Sequence, residues 1–61
     1  MKAVQIRELK AGDKFYLSPN SKRFWTRGKY LRCIREYEVH PDEDQYLCYR
    51  IDGKDIVYID K

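Results

Sequence analysis

The sequence predicts an all-β domain, a small five-stranded antiparallel barrel that ends in a β-hairpin. Three observations carry this expectation. Short strand-like runs follow one another closely along the 61 residues, and no stretch shows the spacing of an amphipathic helix. Six tyrosines, two phenylalanines and one tryptophan, with many β-branched residues, supply the side chains that suit a pleated surface. Asp52-Gly53 stands between two such runs, a strong short-range hairpin signal.

Taken in order, Val4-Gln5-Ile6 alternates as a half-buried strand does, which places a first strand near 3–7. Arg7 to Lys14 then makes a tight reversal, with Gly12 where a single helical turn ends in a left-handed residue. Phe15-Tyr16-Leu17 begins a second strand near 14–18, with Phe15 and Leu17 on one face. The segment Leu9-Lys10-Ala11-Gly12-Asp13-Lys14-Phe15 resembles the Leu-x-x-Gly-Asp-x-Phe opening turn of small bacterial and phage SH3-like barrel proteins. That resemblance covers seven residues and implies a single SH3-like domain over 1–61; it concerns architecture, since such folds host many functions.

Ser18-Pro19-Asn20-Ser21 reads as a loop. Strands are expected near 23–27 and 29–39, with Gly28 as a bend between them and the two able to merge. Leu31, Cys33, Tyr37 and Val39 share one parity that Arg35 breaks, which points to a bulge near 34–36 or a solvent-facing strand end. His40 to Asp44 reads as an acidic turn after Pro41. Residues 45–60 form the hairpin, and a two-residue type I′ turn sets Arg50 opposite Asp55 and Tyr49 opposite Ile56. An OB-fold fits less well, because Glu38 to Asp44 is too short for a helix.

Charge is distributed unevenly. Residues 1–13 sum to +1, residues 14–35 hold seven bases and no acid, and residues 36–61 sum to −5. Such asymmetry indicates a charged partner or internal pairing of opposite faces. No apolar run approaches the ~20 residues of a membrane span, and the N-terminus lacks a signal-peptide layout, so the expectation is a cytoplasmic protein with reduced Cys33 and Cys48.

Catalytic chemistry finds no support: there is no nucleophile–base pair and no phosphate-cradling loop, and His40 is the sole histidine. No cofactor is expected. No metal is expected either, because one histidine and two cysteines do not complete a zinc site within one chain. The binding residues expected are Lys22, Arg23, Trp25, Arg27, Lys29, Tyr30 and Arg32, where bases alternate with flat rings. Cations contact phosphates and rings stack on unpaired bases, so the partner expected is single-stranded DNA or RNA. The competing expectation is a protein-interaction module, a phage, mobile-element or bacterial accessory protein docking a folded partner or a second copy of itself, because Tyr, Trp and Arg also dominate protein interfaces. The bland alternative makes Phe24 and Trp25 core and pairs the arginines with the acidic C-terminal third.

Overall fold

The computed structural model describes residues 1–44 and 46–60, and within them the chain is all-β and antiparallel. The strands are β1 (Lys2–Gln5), β2 (Lys14–Phe15), β3 (Trp25–Leu31), β4 (Glu36–Pro41), β5 (Tyr49–Asp52) and β6 (Ile56–Ile59), with a 3-10 turn at Ile6–Glu8. They form two sheets, β1-β6 and β2-β3-β4-β5. Tyr16 and Tyr58 exchange backbone hydrogen bonds of 2.7 and 2.8 Å, which joins the sheets at one corner. The barrel does not close: β1 and β5 lie at the two ends of this order. Among the described residues no helix is long and apolar enough to cross a membrane.

Side-chain alternation decides where the core lies. Val4 faces Val57 across β1-β6, Phe15 faces Trp25 across β2-β3, and Arg27 faces Val39 across β3-β4. Directly paired residues share a sheet face, so these pairs mark the inner side. Val4, Ile6, Phe15, Val39 and Val57 are buried there, with Leu9, Trp25, Tyr37, Ile51 and Ile59 packed around them. Full burial of such side chains contributes about 1.5–3 kcal/mol each, and five of them make a small core.

The opening turn is held as its residue types require. Gly12 has φ +94°, a left-handed conformation open to glycine. Its amide donates to the Arg27 carbonyl at 2.8 Å, and the Arg27 amide donates to the Asp13 carbonyl at 2.9 Å. The turn is therefore hooked onto β3. The Lys10 amide donates to the Asp13 carboxylate at 2.8 Å, which closes the loop from within.

Several expectations are corrected. The strand near 3–7 ends at Gln5, where the Gln5 amide donates to Glu8 Oε2 at 2.7 Å and the 3-10 turn begins. The second strand stops at Phe15 apart from the Tyr16 bridge, and Leu17 is exposed. Residues 29–39 are not one strand: Arg32 to Arg35 form the turn of a β3-β4 hairpin, and Arg35 breaks parity because it occupies a left-handed conformation at φ 56°. Gly28 lies within β3, where residues 27 and 30 oppose 39 and 37, one extra residue against β4. β4 continues through Pro41, and the acidic turn starts after it.

The largest correction concerns the C-terminal hairpin. β5 pairs with β4 and β6 pairs with β1, so Asp52-Gly53 carries the chain from one sheet to the other. The register sets Arg50 opposite Glu38 instead of Asp55, and Tyr49 opposite Val39 instead of Ile56. The turn is built by carboxylates: the Lys54 amide donates to Asp52 Oδ1 at 2.9 Å and the Asp52 amide to Asp55 Oδ2 at 3.1 Å. Gly53 is not in the left-handed region that both central residues of a type I′ turn need. Gln45, assigned to the first hairpin strand, lies outside the described residues, and the strand itself begins at Tyr49.

Candidate nucleic-acid interface

Strand order and alternation divide the expected binding residues into two groups. In the first, Arg23 is exposed but forms an ion pair with Glu43. Trp25 is half-buried on the inner side, its ring edge-on to Tyr49 with centroids 5.5 Å apart. Arg27 is also half-buried: its guanidinium sits 4.5 Å from the Tyr37 ring centroid, its Nη1 donates to the Gly28 carbonyl at 2.9 Å, and its Nε is buried without a partner. Phe24, half-buried, carries the Lys14 ammonium 4.7 Å above its ring. These residues are largely engaged with the protein itself.

The second group stays available. Lys22 lies exposed in the loop before β3, Lys29 and Tyr30 are exposed near the end of β3, and Arg32 is exposed in the hairpin turn. The extra residue at Gly28-Lys29 matters here. Strict alternation puts Tyr30 on the face opposite Arg27, whereas the bulge returns it to the same face, paired with Tyr37. The two tyrosine rings lie 4.7 Å apart at an interplanar angle of 40°.

Tyr30 and Tyr37 line a cleft of about 380 Å³ together with Arg7, Arg35, Asp52, Gly53 and Lys54. Three separate turns supply its cations: Arg7 comes from the 3-10 turn, Arg35 from the β3-β4 turn and Lys54 from the crossover after β5. One carboxylate, Asp52, faces them, and its Oδ1 already accepts the Lys54 amide. Among the described residues Arg23–Glu43 is the one ion pair, and Arg7, Arg35 and Lys54 take part in none. Tyr30 belongs to the expected set, while Arg7, Arg35, Tyr37 and Lys54 were missed. Arg35 stood in the acid-free block and could have been found there; Arg7 and Lys54 sit in segments whose local charge balance gives no signal.

The outer face of the second sheet holds a different group. Glu38 and His40 on β4 and Cys48 just before β5 bring one ligand atom each within 4.8 Å of one another. The Cys48 thiol donates to Glu38 Oε2 at 3.4 Å. Partial desolvation first, and then the hydrogen bond and negative charge of Glu38, push the Cys48 thiol above its ordinary value, against a smaller opposing effect of Arg50. Both cysteines are free and exposed.

Comparison with protein-family models, with curated proteins and with solved structures gives no match.

Proposed function

We propose that this chain is a non-catalytic binding module for single-stranded nucleic acid, acting through the cleft between Tyr30, Tyr37, Arg7, Arg35 and Lys54. The observation that carries the reading is the convergence of three cations, faced by one carboxylate, on the exposed Tyr30 ring packed against half-buried Tyr37. An exposed ring gives a base a stacking surface worth about 1–3 kcal/mol, and the cations supply the counterion-release term that phosphates provide. The cleft lies at the small end of ligand pockets, which run from about 300 Å³ upward, and suits one stacked base with its phosphate. Arg23, Trp25 and Arg27, central to the expectation from sequence, recede to supporting roles.

The architecture supports an SH3-like reading in an open form. β2, β3, β4 and β5 make a meander, a short turn follows, and the last strand returns to the first, an order in keeping with the resemblance of the opening turn. A cytoplasmic setting fits two free thiols. Amide chemical-shift mapping with oligothymidylate tests the function: Arg7, Tyr30, Arg35 and Gly53 should move together, and shifts confined elsewhere would refute it.

One observation favours a second reading, the protein-interaction module. β5 is an end strand, and beside it Tyr46 is 98% exposed and Leu47 and Tyr49 are exposed as well. An unpaired strand edge flanked by apolar side chains is a template for strand addition. Concentration-dependent shifts at Tyr46 to Asp52, without nucleic acid, would favour it.

A further inference from the structure

We propose that Glu38, His40 and Cys48 form a binding site for a borderline-soft divalent cation of the Zn2+ type, with solvent completing the coordination. The reading does not depend on nucleic-acid binding, because Glu38 and His40 project from the face of β4 opposite Tyr37.

Geometry is the first support. Zinc bonds of about 2.0–2.3 Å place tetrahedral ligands roughly 3.5 Å from one another. The Cys48 sulfur and Glu38 Oε2 already stand 3.4 Å apart, and the whole triad falls within 4.8 Å, so small side-chain rotations close it. Glu38 and His40 are two apart on β4, and a strand paired on both sides holds them in place.

The second support is the surroundings of His40. Its Nδ1 lies 3.0 Å from the Leu47 carbonyl oxygen, which accepts only, so Nδ1 carries the hydrogen and the neutral ring keeps its lone pair on Nε2. A backbone carbonyl holding one ring nitrogen is the usual support of an imidazole that binds metal through the other. Gly28 leaves room for the ring: a Cβ there would stand 2.9 Å from Nε2 and 3.2 Å from the Glu38 carbonyl oxygen.

Donor chemistry selects the ion. Thiolate, imidazole and carboxylate together suit Zn2+ and its analogue Co2+ over hard, all-oxygen cations. On binding, the thiol proton leaves to solvent and the thiolate, imidazole and carboxylate donate one electron pair each. Arg50, opposite Glu38 and near Cys48, opposes a dication and lowers the affinity of the site. The expectation of no metal counted histidine and cysteine but not the carboxylate that shares their face.

Titrating the full metal-free chain with Co2+, followed by Zn2+, tests the site. Expected are one ion per chain, a near-ultraviolet thiolate-to-cobalt charge-transfer band, and loss of that band when Zn2+ displaces it. His40→Ala and Cys48→Ser should each weaken binding at least about tenfold, whereas Cys33→Ser should leave it unchanged. No band in the wild-type chain, one ion per two chains, binding indifferent to Cys48→Ser or His40→Ala, or binding lost in Cys33→Ser would overturn the proposal.

Discussion

The Arg27 guanidinium carbon lies 4.5 Å from the centre of the Tyr37 ring, on the inner side of the sheet and beside Val39. An arginine so placed works as a packing element, with its stem on apolar surface and its head on an aromatic face. Arg27→Ala should therefore destabilise the fold by about 1–2 kcal/mol in urea denaturation and leave the salt dependence of nucleic-acid binding unaltered. Arg27→Met, which keeps an apolar stem and removes the partnerless Nε, should cost less than the alanine.

Arg35 couples stability to the cleft in the opposite direction. Its left-handed φ of 56° is unfavourable for a residue with a Cβ. Arg35→Gly should stabilise the domain by about 0.5–1 kcal/mol, after allowing for the greater freedom of glycine in the unfolded chain. The same change removes a cleft cation and should weaken binding. Thermal denaturation and oligonucleotide titration of one variant check both halves.

The strand pairing is open to a direct check by proton contacts. Glu38 should show cross-strand contacts with Arg50, and Val4 with Val57, whereas Tyr49 and Ile56 should show none with each other. Slow amide exchange in β5 should depend on β4, so it should persist when the crossover is loosened by Asp52→Ala. Contacts between Tyr49 and Ile56 would restore the hairpin.

Cys48 should titrate late. With Cys33→Ser to isolate it and chelator present, its alkylation rate should rise with a midpoint above that of an ordinary thiol, because the folded state favours the protonated form. A raised value in the native state means that this group's contribution to stability holds at lower pH and falls as pH rises through its folded pKa. Glu38→Gln should bring the midpoint down by removing the negative charge beside the sulfur. A wild-type midpoint at or below the ordinary value would contradict this.

The sequence was informative where a residue type can serve one purpose. Gly12 announced a left-handed residue in the opening turn, and it takes that conformation while the Asp13 carboxylate closes the loop. The all-β class followed from short runs with no helical spacing. The hairpin was misread because both faces of residues 46–51 and 56–59 are apolar, so alternation did not say which neighbour each strand takes. Asp52 and Asp55 could build a crossover as readily as Asp-Gly could build a hairpin. The cleft was half visible: Tyr30 and Arg35 fall in the acid-free block, but Arg7 and Lys54 reach it only through pairing of distant strands. One extra residue at Gly28-Lys29, which alternation does not reveal, moved Tyr30 onto Tyr37.

The affinity of the chain for oligothymidylate across a range of salt concentrations tests the central claim most directly. With the three cleft cations each meeting a phosphate, log affinity should fall against log salt with a slope of roughly −2, from about 0.7 per phosphate on single strands. Tyr30→Ala should cost about 1–3 kcal/mol of binding without changing that slope, while Lys54→Ala should make it shallower by about 0.7. No binding at low salt, or binding indifferent to Tyr30, Arg7, Arg35 and Lys54, would contradict the account.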